Sequence, residues 1–251
     1  MSIGFKRSIL AIATTLAACH AHALSAGDLA FTAYNADEDG WSLVTFVDLA
    51  ANTQFYFSDN EWSGSAFNSG ESYHQWTTGT STITAGTVIR FSKIDTTGLS
   101  ASLGTLSRAA VSGNTNYGLS ADNETIYLYQ GSTATAPTSF VAAISTGAFS
   151  TAQGSLTNTG LSIGAGAVKL GNGSDYAEYT GPRDGKASLT DYKALVSDAA
   201  NWTDRGDGAY AALVPDTSSF TVTAVPEPDA AAMVLAGLGL IGFMGRRRLV
   251  R

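Results

Sequence analysis

The chain has 251 residues, of which 14% are charged, against about 25% in an ordinary soluble domain, and its net charge is −7. Short hydroxyls and glycine stand in for charge, with 29 Thr, 27 Ser and 27 Gly, a mixture that favours strands and turns over helices. A hydrophobic share of 44% excludes a disordered chain, the acidic balance argues against a nucleic-acid binder, and one cysteine excludes a disulfide framework or a Cys-based zinc site.

The first segment carries Lys6 and Arg7, an uncharged run from Ser8 to Ala18, and then Ala21-His22-Ala23, with small residues at the two positions a signal peptidase reads. This order predicts a secretory signal peptide over residues 1–23, helical before its removal. Leu16-Ala17-Ala18-Cys19 offers a competing lipoprotein cleavage in which Cys19 carries a lipid. Cleavage after Ala23 is the preferred reading, and under it the only cysteine leaves with the signal.

From residue 24 onward the pattern changes to short runs of β-formers. Leu29, Phe31 and Ala33 alternate, and Leu43 to Leu49 and Thr53 to Phe57 are apolar, so all three segments read as strands. Further strands are predicted at Thr87 to Phe91, Thr125 to Tyr129, Phe140 to Ile144, Ala167 to Leu170 and Tyr176 to Tyr179, separated by Gly, Asn and Ser clusters. Many short strands at this spacing predict a mainly β protein, a sandwich or barrel over residues 24–214 with one or two short helices. Ser188-Leu-Thr-Asp191 resembles a capping box, and Leu189, Tyr192, Leu195, Val196 and Ala199 continue it at helical spacing. Residues 215–224, rich in Ser and Thr, read as a last strand or a linker.

Three patterns invite chemistry. Asn35-Ala-Asp37-Glu-Asp39-Gly40 matches the opening of a calcium loop, with Asn35, Asp37 and Asp39 as ligands, but the twelfth position is Phe46, where a bidentate Glu is required. A turn between two strands fits the same residues, with Asp59 and Glu61 as further oxygen donors should calcium bind. Trp62, Tyr73 and Trp76, set among Ser, Gly and Asn in the predicted loop Asn60 to Trp76, offer flat faces that suit sugar rings, or else they pack a core. His74 is the single histidine after residue 23 and reads as a surface or strand-edge residue, while Glu61 and Glu71 are the carboxylate pair that glycoside hydrolysis would need. Without a nucleophile elbow, an H-E-x-x-H or a Walker loop, the expectation is a protein that is not an enzyme and holds no cofactor besides that calcium.

The last segment joins Val225-Pro226-Glu227-Pro228 to sixteen uncharged residues, Ala230 to Gly245, and then to Arg246, Arg247, Arg248 and Arg251. Sixteen helical residues reach about 24 Å, which spans a locally thinned bilayer as a transmembrane helix over 230–245, and the Arg cluster would hold its end on the cytoplasmic side. Residues 225–251 resemble the PEP-CTERM sorting signal of Gram-negative bacteria. That resemblance implies an exosortase that cuts near Pro226, Glu227 and Pro228, an inner-membrane precursor, and release to the cell surface or extracellular space. With both ends removed, 8 basic and 19 acidic side chains remain between Leu24 and Val225, a net −11.

Gly27-Asp28-Leu-Ala-Phe-Thr-Ala-Tyr-Asn35, Phe57-Ser-Asp59-Asn60-Glu-Trp62 and Leu119-Ser-Ala-Asp122-Asn-Glu-Thr-Ile-Tyr-Leu-Tyr-Gln-Gly131 resemble lamin-tail-like modules of secreted bacterial proteins. The resemblance implies an immunoglobulin-like sandwich. Together with the two terminal signals it leads to the expectation of a structural or adhesive surface or matrix protein associated with exopolysaccharide, processed by signal peptidase and exosortase. A carbohydrate-binding module or a carboxylate-dependent hydrolase is the alternative.

Overall fold

The computed structural model describes residues 24–223. The expected signal peptide with Cys19, Ala21 and Ala23, and the tail with Pro226, Glu227, Pro228, the expected helix over 230–245 and Arg246 to Arg248, lie outside the described residues. Among those described, no helix is long and apolar enough to cross a membrane.

Two sheets carry the fold. The first joins β1 (Leu29–Asn35), β2 (Gly40–Thr45), β5 (Val88–Ser92), β6 (Ser100–Ala101), β12 (Tyr176–Tyr179) and β13 (Trp202–Asp204) in the order β13-β12-β1-β2-β5-β6, antiparallel throughout. The second joins β3 (Gln54–Ser58), β4 (Tyr73–Thr77), β7 (Thr105–Arg108), β8 (Thr125–Thr133), β9 (Ala136–Ser145), β10 (Ser162–Ile163) and β11 (Gly166–Lys169) in the order β10-β11-β9-β8-β3-β4-β7. Between the sheets lies a core that includes Phe31, Leu43 and Ile89 from the first and Phe55, Phe57, Trp76 and Leu128 from the second.

The central strands of the second sheet are buried on both faces. In β8, Ile126 and Leu128 enter the inter-sheet core, while Tyr127 and Tyr129 join a separate aromatic cluster with Tyr56, Trp62, Tyr73 and Phe140. Loops cover that second face: Trp62 Nε1 donates to Thr157 O (2.9 Å), and Ser155 N to Trp62 O (2.8 Å). Filling both faces erases polar alternation, and this explains the one long strand that the sequence reading missed. Tyr73–Thr77 was expected inside a loop and is instead β4, paired with β3 from Gln54↔Thr77 to Ser58↔Tyr73.

Three boundaries differ for local reasons. The strand expected at Leu43 to Leu49 starts at Gly40, where an added Cβ would lie 2.6 Å from Phe91 O, and ends at Thr45. The single helix expected from Ser188 is broken into a 3-10 turn (Leu189–Tyr192), the five-residue helix α1 (Lys193–Ser197) and a second 3-10 turn (Ala199–Asn201). Its start is held as the capping pattern implies, with Ser188 N donating to Asp191 Oδ2 (2.9 Å). Residues 215–223 form neither strand nor free linker: Phe220 is 3% exposed and packs on Tyr192 (5.2 Å), Tyr179 (5.7 Å) and Phe46 (6.0 Å).

Gly86 receives that segment. Its φ is +89°, its carbonyl accepts from Phe220 N (2.8 Å), and a Cβ would meet Phe220 O at 2.2 Å. Gly86→Ala is therefore expected to cost roughly 1–3 kcal/mol from left-handed strain and displacement of Phe220. A urea midpoint unchanged from the parent would refute this.

Candidate functional site

At one end of the second sheet, β4, β3 and β8 present a row of carboxyl groups. Asp59 follows β3 with the inward parity of Phe55 and Phe57, Glu124 precedes β8 with that of Ile126 and Leu128, and Glu71 stands two residues before β4. Asp59 and Glu124 are 3% and 6% exposed, and Glu71 is half-buried. Asp59 Oδ1 accepts from Ser72 N (2.7 Å) and Ser72 Oγ (2.9 Å), while Glu124 accepts from Ser120 N (3.0 Å) and Thr125 N (3.2 Å). The remaining oxygens Asp59 Oδ2 and Glu71 Oε2 are buried without a hydrogen-bond partner.

None of the three carboxyls is in a salt bridge; the ion pairs among the described residues are Arg90–Glu38, Arg183–Asp216 and Lys193–Asp28. Burial, reinforced by the neighbouring carboxyls, pushes Glu71 up to about 8 and raises Glu124 strongly. Burial also raises Asp59, against the lowering effect of the Ser72 donors. Protons are thus the neutralising species here. Trp41, Phe57, His74, Ile94, Leu119 and Ile126, among others, close round Asp59 and leave no space that admits a water molecule.

His74 is not the surface residue expected: it is 1% exposed, because its parity on β4 matches that of Trp76 and points it between the sheets. Its Nδ1 lies 3.3 Å from Ser72 Oγ and its Nε2 3.3 Å from Ile94 O, and burial lowers it to about 4. Asp59, Ser72 and His74 contain the residue types of a hydrolytic triad in the wrong order, since the serine sits between the acid and the imidazole. All three are buried, so the arrangement is a packed polar network.

The other expected site residues are placed as follows. Trp62, Tyr73 and Trp76 are 6%, 2% and 0% exposed, so of the two roles open to them the structure gives them core packing. Trp76 stacks on Phe55 (5.1 Å) and Trp62 packs against Phe67 (5.1 Å) and Phe140 (5.0 Å), so their faces are already occupied. The expected calcium ligands act as turn acceptors: Asn35 Oδ1 takes Glu38 N (3.0 Å), Asp37 Oδ2 takes Tyr210 N, and Asp39 Oδ1 takes Leu119 N (2.6 Å). Asp39 itself has φ +57° in the β1–β2 turn. Among the described residues no group of three or more His, Cys, Asp or Glu is placed to hold a metal ion. Glu61 is bound by Asn68, whose Nδ2 donates to its Oε2.

A strap, residues 109–124, closes this end. Ala109 N donates to Tyr73 O (2.8 Å), Gly70 N to Asn114 Oδ1 (3.1 Å), and Tyr34 OH to Ser120 O (2.5 Å).

Residues 224–248 match the PEP-CTERM protein-sorting motif family. The motif implies processing by an exosortase, with export and sorting to the cell surface. No curated protein and no solved structure matches the chain.

Proposed function

We propose that the chain is a structural or adhesive protein of a Gram-negative cell surface or extracellular matrix, held at the inner membrane as a precursor through its 230–245 segment until an exosortase acts near Pro226 to Pro228. The observation that carries this reading is the sorting motif at residues 224–248. It is supported by a body whose candidate polar site is sealed inside the sandwich and whose surface is rich in Ser, Thr and Gly. On this reading the body is a lamin-tail-like, immunoglobulin-like sandwich without enzymatic activity, and two face-to-face sheets with a single short α-helix fit it.

Contact with exopolysaccharide then runs through hydroxyl-rich surface rather than stacked indoles. One such groove is lined by Thr80, Ser81, Thr82, Thr84 and Thr87 beside the exposed Leu103.

Replacing Pro226, Glu227 and Pro228 together by Ala is expected to leave an uncleaved precursor in the inner-membrane fraction. Immunoblots of membrane, periplasmic and medium fractions check this. Normal surface delivery of that variant would sink the reading.

A further inference from the structure

The folded body and the sorting motif share a boundary with no spacer. The last described residues are bound to the body by their backbone: Phe220 N donates to Gly86 O (2.8 Å), Thr221 N to Arg183 O (2.8 Å) and Thr223 N to Lys186 O (2.9 Å), and Val222 bridges to Lys186 in parallel. The motif begins at the next residue, 224. Side chains reinforce the seam. Tyr192 OH donates to Thr221 O (2.7 Å) while accepting from Lys186 N (3.1 Å), and the Arg183 guanidinium lies 5.0 Å from the Phe220 ring centre. Arg183 also donates to Ser218 O (2.8 Å) and pairs with Asp216 (3.2 Å).

An enzyme that cuts near Pro226 has little chain to work with. From Thr223 to Pro226 an extended backbone reaches about 10 Å, whereas a body of this size has a radius of gyration of about 16 Å. Enzymes and domains that take extended peptides engage the backbone of several consecutive residues, pairing it as an added strand. Residues upstream of the motif can be paired in that way only after they leave Arg183 and Lys186.

We propose that Phe220–Thr223 is a latch that withholds the sorting motif: exosortase gains the upstream residues of its substrate only when this segment peels from the body and Phe220 leaves its pocket between Tyr179, Tyr192 and Phe46. Phe220 is a positioning residue here, acting on the cleavage through the chain it anchors. The proposal rests on the sorting reading above, and it adds that processing is paced by the body's hold on the segment.

The test is a pulse–chase of the full-length chain in a Gram-negative host whose exosortase processes motif-bearing proteins, scoring conversion of precursor to the shortened form. Ten Gly and Ser residues inserted between Thr223 and Ala224 leave the latch folded and move the motif away from the body. Conversion is expected to accelerate at least threefold, with the thermal midpoint of the purified body unchanged. Phe220→Ala should accelerate conversion as well, and Phe220→Leu, which refills the pocket, should return it toward the parental rate. An insertion that leaves the rate unchanged or slows it overturns the latch, and so does acceleration by Phe220→Ala alone, which would report a loosened body rather than a released tether. The triple Ala replacement of Pro226, Glu227 and Pro228 separates the two levels: undiminished conversion in that variant means that the sorting reading itself has failed.

Discussion

Trp76→Ala is expected to lower the stability of the domain by about 3–5 kcal/mol, the range for deleting a fully buried large aromatic. Its indole is 0% exposed, stacks on Phe55, meets Phe91 edge-on at 5.2 Å and donates Nε1–H to Leu103 O (2.9 Å). The surroundings cannot collapse into the gap easily, because they belong to β3 and β5, each paired on both sides, and to the Leu103-Gly104 turn between β6 and β7. Gly104 is tied to the same site: at φ +77° an added Cβ would lie 2.8 Å from Trp76 Nε1. Against a total of about 5–15 kcal/mol, such a loss leaves a marginal fold. Trp76→Phe, which keeps the stack and forfeits the hydrogen bond, should recover more than half of it. Urea denaturation followed by far-UV circular dichroism decides, and a loss below about 0.5 kcal/mol would place Trp76 outside the core. The result bears on function too. Loss of polysaccharide retention in a Trp62→Ala, Trp76→Ala double variant would report unfolding before it reported a binding platform.

What could be read from the chain was set by how locally each feature is encoded. Tyr176–Tyr179 matches its predicted strand residue for residue, and β1, β3, β5, β8, β9 and β11 fall within a few residues of expectation, since Gly and Asn turns bracket apolar runs. β4 escaped because its two faces serve two different cores, and β7 because Thr105, Ser107 and Arg108 give an edge strand few apolar residues. The carboxyl row was half visible. Asp59 and Glu61 stood out as oxygen donors and Glu71 as half of a pair, but nothing local says that Asp59 keeps the inward parity of Phe57, or that Glu124 does so before Ile126. Only the pairing of Ser58 with Tyr73 and with Tyr127 brings the ends of three strands together. The aromatic residues were read correctly as a group and in two competing roles; burial decided between them. For the Asn35-Asp37-Asp39 turn the chain could not show that Tyr210 and Leu119 return from far along it to donate to the turn's oxygens.

The carboxyl row makes stability fall as pH rises, and the direction follows from which state holds the proton. In the folded body Glu71 stays protonated up to about 8, and Glu124 and Asp59 are raised as well, whereas in the unfolded chain carboxyls lose their protons near 4. Their contribution is complete below about pH 4 and is lost as pH climbs through the folded values, by up to about 1.4 kcal/mol per group per pH unit. His74 acts oppositely: its folded value near 4 lies below the unfolded 6.5, so its contribution is present above pH 6.5 and lost on acidification through 4. Between pH 4.5 and 6.5 one imidazole partly offsets the carboxyls, and above 6.5 they act alone. The thermal midpoint is therefore expected to fall from pH 5 to 8. Glu71→Gln should leave the midpoint at pH 5 within a degree or two and raise it at pH 8. A midpoint that is flat or rises from pH 5 to 8 would show that the row is ionised in the folded state. The fall has a floor, because above the folded values each carboxyl has lost its proton in both states and a further rise in pH no longer separates them.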